Sequence, residues 1–299
     1  MKKIGLTLGG GGARGICQIE FLKVLDEKEI TPSIISGTSI GAIIGAFYAS
    51  GLSGTDIEKI LNNLIINNKK AEILRKDNND DENKLEKYVD EKWQKIKTNY
   101  KKLQNLHKLI DFSYFKNTSF LQGKGVVEFF EKSLPVKTFE ELKIPLKIVA
   151  TDYWNQKSVV FDKGDLIPAI RASMSIPAVF EPMIIDGVVF IDGGITNNLP
   201  FDIIQKECNL TIAIDVSGST SIPSKPKSPN FFDNIMTSFE ILQSSIVKFQ
   251  MNLNRPDIYI KPELKDIGIL DFHKSNEITE SVKTNIDDFR KILSSINLN

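Results

Sequence analysis

Short apolar runs alternate along the chain with longer stretches in which apolar residues recur every three or four positions. The short runs lie at 4–8, 33–36, 145–151, 158–161, 183–191 and 210–216. Two of them, 145–151 and 210–216, are apolar almost throughout, as expected for strands buried on both faces. Strands that alternate with helices in this way predict an α/β protein with three layers, α/β/α, around a largely parallel central sheet.

The region 66–110 differs from the rest, because lysine, asparagine and aspartate dominate it. From Trp93 to Ile110, apolar residues return at three-four spacing among lysines, which predicts a basic amphipathic helix. We interpret 66–110 as a charged helical insertion in a single domain that spans 1–299. Two roles stay open for it: its apolar stripe packs on the main domain, or it forms a lid or membrane-docking element through 92–110.

The C-terminal part begins with a loop rich in serine, proline and lysine and continues with helical patterns at 233–251 and 275–296. We expect 219–299 to be a surface loop followed by a helical extension that packs on the domain and carries no chemistry.

The composition excludes some partners. Lysine plus arginine and aspartate plus glutamate each number 38 in 299 residues, so no overall charge attracts nucleic acid. The first apolar run is too short for a signal peptide and no run is long enough to cross a membrane. We therefore expect a cytoplasmic protein; peripheral association with membranes and leaderless export stay open. The sequence gives no indication of an oligomeric state.

Metal and cofactor chemistry is not expected. Cys17 and Cys208 make neither a disulfide framework nor a metal site. The acidic stretch 77–82 lacks the glycine and the spacing of a calcium-binding loop.

Two glycine-framed turns follow the first two apolar runs. The first reads Gly9-Gly10-Gly11-Gly12-Ala13-Arg14-Gly15 and can present a row of backbone N–H groups to an anion. The second reads Gly37-Thr38-Ser39-Ile40-Gly41 and fits a sharp bend from strand to helix with a serine at its tip. Its two glycines remove side chains that would clash with a strained serine. An anion cradle beside an exposed serine is suited to acyl transfer.

The first turn also has the glycine spacing of a dinucleotide-binding loop. That motif expects an acidic residue about twenty positions further on, at the end of the next strand, where this chain has only Ser33 to Gly37. The lysine of a phosphate-binding P-loop is missing as well. An oxyanion hole fits the residues better.

A serine nucleophile needs a proton acceptor. His107 and His273, the two histidines, lie in polar segments away from the glycine turns. The remaining candidates are carboxylates at strand ends, namely Asp152, Asp186, Asp192 and Asp215. Asp186-Gly187 has the signature of a two-residue hairpin turn. Asp192 is the best candidate base, because Gly193 and Gly194 let the chain turn sharply and bring its carboxylate close to another backbone.

These motifs together resemble the patatin-like phospholipases. The resemblance rests on Gly10 to Gly15, on Gly37 to Gly41 and on Asp192-Gly193-Gly194, in that order, and it is reinforced by the blocks 171–182 and 197–200. Matching features cover roughly 1–55 and 145–218. Many members have alanine where this chain has Gly194, a variant that keeps the small size.

The resemblance implies a Ser-Asp dyad hydrolase that acts on acyl lipids. Ser39 matches the nucleophile and Asp192 the base, and Gly10, Gly11, Gly12 and Arg14 match the oxyanion-hole motif. The Arg14 side chain either supports the loop or meets a phosphate head group. The expected substrate is a phospholipid or another acyl-ester lipid, cleaved by phospholipase A or lysophospholipase activity. The alternatives are a soluble carboxylesterase, thioesterase or acyltransferase with the same dyad, and a non-catalytic lipid-binding protein.

Overall fold

A computed structural model describes residues 2–63, 129–218, 228–229 and 231–296. The predicted insertion at 66–110, with its amphipathic helix, His107 and the acidic stretch 77–82, lies outside the described residues, as does most of the predicted loop after 218.

The described part of the chain builds one mixed sheet of eight strands. The strand order is β5-β6-β3-β2-β1-β7-β8, and β4 pairs with β3. Five neighbouring strands, from β3 to β8 in this order, run parallel, whereas β4, β5 and β6 are antiparallel to their partners. The strands are β1 (Ile4–Leu8), β2 (Ile34–Thr38), β3 (Leu146–Asp152), β4 (Lys157–Phe161), β5 (Met183–Ile185), β6 (Val188–Asp192), β7 (Leu210–Ile214) and β8 (Ile258–Ile260).

All six predicted apolar runs contain strands, and the prediction of a three-layer α/β/α fold is confirmed. The run 183–191 is the hairpin β5–β6, with Asp186 (φ 49°) and Gly187 (φ 79°) as its turn, as the Asp-Gly pair predicts. Strand β8 was not predicted. It has only three residues between Pro256 and Pro262, too few to form a recognisable apolar run.

Helices cover both faces of the sheet. They are α1 (Gln18–Glu27), α2 (Ile40–Ala49), α3 (Leu166–Ser173), α4 (Asp202–Gln205), α5 (Phe231–Leu253), α6 (Ser275–Ser281) and α7 (Lys283–Ser295), and residues 54–63 and 129–133 are helical as well. No helix in these described ranges is both long and apolar enough to span a membrane.

Small residues bring α2 close to the sheet. Every residue of this helix is buried, and a Cβ on Gly45 would lie 3.3 Å from the side chains of both Ile35 and Leu146. The start of α2 approaches the end of β1 even more closely, since a Cβ on Gly41 would collide with the carbonyl oxygen of Leu8. The turn around Ser39 therefore packs closely against the end of β1.

Strand β3 joins the two halves of the sheet. It pairs in parallel with β2 through Leu146–Val149 and antiparallel with β6 through Ala150–Asp152. Val149 stands opposite Thr38, and the next residue, Ala150, stands opposite Asp192. The register of one strand thus brings the residue before Ser39 and the candidate base to neighbouring positions.

The C-terminal helix α7 is held to α1 by an aromatic pair. Phe21 and Phe289 are buried, and their rings meet edge to face with centroids 5.6 Å apart. We predict that Phe289→Ala lowers the free energy of unfolding by about 3–5 kcal/mol, because it leaves a cavity under α7. Urea denaturation measures the change. The matched control is Phe249→Ala, since Phe249 is 64% exposed and its loss leaves no cavity. Equal effects of the two substitutions would contradict the packing of α7.

Candidate active site

Ser39 occupies a strained bend between a strand and a helix. Strand β2 ends at Thr38 and α2 begins at Ile40, and Ser39 between them has φ 54° and ψ −120°. Positive φ is costly for a residue with a side chain and is common at nucleophile turns. A Cβ on Gly37 would lie 2.5 Å from the carbonyl oxygen of Gly41 and 2.7 Å from the N–H nitrogen of Ala42, so the bend requires glycine there.

Hydrogen bonds on both sides hold the serine backbone in this conformation. The Ser39 N–H donates to Ser173 Oγ at 2.8 Å, and Ser173 Oγ donates to the carbonyl oxygen of Val149 at 2.6 Å. The Ser39 carbonyl accepts from the N–H groups of Ala42 and Ile43 in the first turn of α2. Ser173 therefore supports the backbone conformation of Ser39. The sequence marks this residue only as part of the block 171–182, without a role.

Asp192 ends β6 with its carboxyl group almost fully buried. Oδ1 accepts the N–H of Gly194 at 2.7 Å, while Oδ2 is buried and has no hydrogen-bond partner. The backbone of Asp192 is fixed as well: its N–H donates to the Ser175 carbonyl at 2.9 Å, and its carbonyl accepts from Thr151 Oγ1 at 2.9 Å. One oxygen of the carboxyl group is therefore anchored, and the other is available.

Burial raises the pKa of Asp192 to about 7, because the charged form loses its hydration. The Gly194 N–H acts in the opposite direction and lowers this pKa, as does the nearby Ser39 hydroxyl. The Ser39 hydroxyl is thus close enough to influence the carboxyl group, although it makes no hydrogen bond of ordinary geometry with Oδ2. A carboxyl group with this pKa exchanges its proton readily near neutral pH.

The other carboxylates at strand ends are engaged elsewhere. Asp152 accepts from the N–H and the side-chain amide of Asn155, which lower its pKa. Asp215 is buried between Tyr259, Lys261 and the N–H of Ser217. Asp186 is exposed in its hairpin turn. Among the four candidates, only Asp192 combines burial with an unpartnered oxygen.

The glycine turn lies beside Ser39. A Cβ on Gly10 would stand 3.5 Å from Ser39 Cβ, which places the first turn next to the second. The Gly10 N–H is not free, since it donates to the Asn198 carbonyl at 3.0 Å, and the Ala13 N–H donates to Ile269 at 2.8 Å. Between them, the N–H groups of Gly11 and Gly12 have no hydrogen-bond acceptor in the described part of the chain. Of the three predicted oxyanion glycines, only these two have N–H groups without an acceptor among the described residues.

The Arg14 side chain supports the loop. It is 2% exposed, and its guanidinium donates to the carbonyl oxygens of Gly11 (3.2 Å) and Ile267 (3.1 Å) and to Glu240 Oε1 (3.0 Å). The geometry thus favours loop support over contact with a phosphate head group. Glu240 lies on α5, so the expectation that the C-terminal helices only pack on the domain was incomplete.

Asn198 connects the glycine turn, Gly9 to Gly15, to the turn Asp192-Gly193-Gly194, which we call the Asp192 turn. Its Nδ2 donates to the Gly10 carbonyl at 3.1 Å, and its Oδ1 is buried without a partner. A Cβ on Gly10 would collide with this Oδ1, and a Cβ on Gly194 would lie 2.8 Å from it. A side chain at either glycine would displace the amide. In the sequence, Asn198 stands out only as part of the family-like block 197–200.

The remaining motif glycines also mark close approaches. A Cβ on Gly193 would collide with the carbonyl oxygen of Val149 and lie 3.1 Å from Thr38 Cγ2, so the Asp192 turn contacts the strand that leads to Ser39. A Cβ on Gly15 would collide with the Ile40 side chain.

His273 lies in a short 3₁₀ turn, Phe272–Lys274. Within the described ranges, no group of three potential metal ligands occurs.

The sequence that builds this arrangement matches a known family. The family model for patatin-like phospholipase matches residues 6–204, a range that contains both glycine turns and the Asp192 turn. The chain belongs to the patatin-like phospholipase family.

Individual relatives are larger than this chain. An uncharacterised NTE family protein of Mycobacterium tuberculosis is 30% identical over 229 residues, which cover 76% of this chain and 53% of that protein. Lysophospholipase NTE1 of Kluyveromyces lactis is 24% identical over 302 residues, which cover 92% of this chain and 18% of that protein. The chain therefore spans about half, or much less, of these relatives.

Among solved structures, VipD from Legionella pneumophila is similar with a TM-score of 0.51 and 14% identity, over 97% of this chain and 67% of that one. At this identity the similarity concerns the fold.

The burial of Asp192 makes folding stability depend on pH. Its pKa is about 7 in the folded protein and about 3.9 in an unfolded chain. Below pH 4 the group is protonated in both states and costs nothing. As pH rises from 4 through 7, the unfolded chain releases the proton first, so the folded state loses stability. We predict that Asp192→Asn becomes more stable relative to wild type by roughly a few kcal/mol between pH 4.5 and pH 8.

Chemical denaturation of both proteins at the two pH values measures this difference. Asp186→Asn is the control, because it makes the same change at an exposed turn and should show the same difference from wild type at both pH values. A gap between Asp192→Asn and wild type that stays constant with pH would contradict the raised pKa.

Proposed function

We propose that the chain is a lipid acyl hydrolase of the phospholipase A or lysophospholipase type, which cleaves carboxylic esters through an acyl-enzyme on Ser39. The observation that carries the proposal is the unpartnered buried oxygen of Asp192 near a strained serine. The neighbouring glycine turn adds the N–H groups of Gly11 and Gly12, which have no acceptor among the described residues. Membership in a phospholipase family supports lipid esters as the substrate class. The yeast relative is called a lysophospholipase, and this chain covers only 18% of it.

The first half-reaction forms the acyl-enzyme. Asp192 Oδ2 takes the proton of the Ser39 hydroxyl as Ser39 Oγ attacks the ester carbonyl carbon. The carbonyl oxygen gains negative charge, and the N–H groups of Gly11 and Gly12 are the donors that we propose to stabilise it. The tetrahedral intermediate then collapses, the ester C–O bond breaks, and Asp192 returns its proton to the departing alkoxide.

The second half-reaction releases the fatty acid. Asp192 takes a proton from water, the resulting hydroxide attacks the acyl carbon, and the same N–H groups stabilise the second oxyanion. Ser39 Oγ leaves and regains the proton from Asp192. A carboxylate has no tautomer that must be fixed, so the dyad needs no third residue beyond the Gly194 N–H, which orients Oδ1.

The direct test is fatty-acid release from mixed micelles of phospholipid, read by mass spectrometry. We predict release by wild type and a loss of at least about a thousandfold in Ser39→Ala and in Asp192→Asn, because each removes a group that takes part in bond formation. Ser245→Ala and Asp186→Asn are matched controls at exposed positions and should retain activity.

Other outcomes separate the alternatives. Turnover of dispersed short-chain esters with no increase on micelles would favour a soluble esterase with the same dyad. Release that persists in Asp192→Asn would exclude Asp192 as the base. A wild type that binds lipid and cleaves no ester would favour the non-catalytic protein.

The pH profile gives an independent prediction. Asp192 acts in its deprotonated form, so kcat/KM should rise with pH and reach a plateau above its pKa of about 7. Steady-state rates between pH 5 and pH 9 locate the midpoint. A midpoint near pH 4, the ordinary value for aspartate, would contradict a buried base.

A further inference from the structure

Two β-hairpins extend the sheet beyond the level of the candidate catalytic residues. Strand β2 ends one residue before Ser39, whereas β3 continues for three more residues with β6 beside it. Asp192 stands opposite Ala150, and earlier residues of β6 stand opposite later residues of β3. The β3–β4 turn, 153–156, and the β5–β6 turn, 186–187, therefore both lie beyond the edge at which Ser39 and Asp192 are placed.

An aromatic pair occupies the first of these turns. Trp154 is 75% exposed and Tyr153 is 47% exposed, and their rings meet edge to face with centroids 4.8 Å apart. The Tyr153 N–H donates to the Val189 carbonyl at 2.9 Å, and Val189 pairs with Ile184, which is 65% exposed. Three large exposed side chains thus lie on adjoining hairpins at the end of the sheet that carries the candidate site.

The β3–β4 turn holds the aromatic pair in a fixed conformation. Asp152, which precedes the pair, accepts the N–H of Asn155 at 3.1 Å and its side-chain amide at 2.8 Å. Asp152 also pairs with Lys157, so the two strands are joined up to the turn itself. Because the turn is already ordered, binding through its rings costs little loss of loop freedom.

The chemistry of the two turns suits the surface of a phospholipid layer. Tryptophan and tyrosine combine an apolar ring with a polar group and concentrate where lipid head groups meet acyl chains. The first turn is followed by one exposed cation, Lys157, and the second contains one exposed anion, Asp186. This balance of charge suits neutral, zwitterionic head groups better than a polyanion. A lipid layer is favoured over a protein partner, because the pair stands beside a site whose proposed substrate is a lipid ester.

We propose that Tyr153 and Trp154 form an interfacial anchor: they enter the head-group region of a zwitterionic phospholipid layer and turn the edge that carries Ser39 and Asp192 towards it. The meaning of this orientation for catalysis rests on the proposed function, whereas the binding does not. The anchor is separate from the stretch 92–110, for which membrane docking stays open.

Tryptophan fluorescence tests the anchor directly, since the chain has only two tryptophans, Trp93 and Trp154. Trp93→Phe leaves Trp154 as the only indole, and Trp154→Phe leaves Trp93, which belongs to 92–110. Both proteins also carry Ser39→Ala, so that the lipid stays intact. With phosphatidylcholine vesicles brominated near the head-group end of the acyl chains, we expect the emission of Trp154 to shift to shorter wavelength and to be quenched. Quenching of Trp93 alone, or of neither tryptophan, would overturn the proposal.

Vesicle binding measures how much the anchor contributes. We expect Trp154→Ala to raise the Kd for phosphatidylcholine vesicles roughly tenfold or more, because the variant loses a large apolar surface that the lipid would bury. The matched control is Phe249→Ala, which removes an exposed aromatic ring from α5 and should bind as wild type does. Equal Kd values for wild type and Trp154→Ala would contradict the anchor. So would a change of oligomeric state in Trp154→Ala without quenching of Trp154 by vesicles, which would assign the pair to a contact between copies of the chain.

Rates link the anchor to catalysis. In Trp154→Ala we expect fatty-acid release from phospholipid micelles to fall roughly in proportion to the loss of binding, with turnover of dispersed short-chain esters unchanged. Equal losses on both substrates would overturn the interfacial role, since an anchor acts only on aggregated lipid. Quenching of Trp154 together with an inactive wild type would support the anchor and defeat the proposed function.

Discussion

The site depends on a carboxyl group that is buried with only one of its oxygens satisfied. Burial without a charged partner is unfavourable for a carboxylate, and here it raises the pKa of Asp192 towards neutrality. The unsatisfied Oδ2 remains available only because the backbone of Asp192 is held by Ser175 and Thr151 and its Oδ1 by Gly194.

The second constraint is the close approach of three backbone turns. Asn198 lies between two of them, with its amide donating to Gly10 and its oxygen facing Gly194. Side chains at these glycines would separate the turns, and Gly10 would move away from Ser39. Arg14 restrains the loop from the other side through the carbonyl oxygen of Gly11. The motif glycines of this chain are therefore required by distances between turns as well as by backbone angles.

The sequence predicted the strands and the three motifs because each leaves a local pattern. Apolar runs mark buried strands, and Asp186-Gly187 marks a hairpin whatever lies around it. The assignment of Asp192 as the strongest candidate base came from its tandem glycines, and the resemblance to a family supported it.

What the sequence could not indicate was the set of contacts between distant segments. Ser173 is 134 positions from the Ser39 N–H that it accepts, and Gly10 is 188 positions from Asn198. Glu240, the partner of Arg14, lies on a helix whose spacing indicates only packing. Strand β8 is defined by pairing with β7 rather than by its own three residues. In each case the tertiary structure determines which residues meet, and no local sequence pattern indicates the pairing.

The register of β3 has a mechanical consequence. Two consecutive residues of β3 pair with the segments that carry Ser39 and Asp192: Val149 stands opposite Thr38, and Ala150 stands opposite Asp192. Ser173 Oγ also links the two sides, because it accepts from the Ser39 N–H and donates to the Val149 carbonyl. Twisting of the sheet therefore moves Ser39 and Asp192 together. Displacement of a helix that does not contact β3 would leave the spacing of these two residues unchanged.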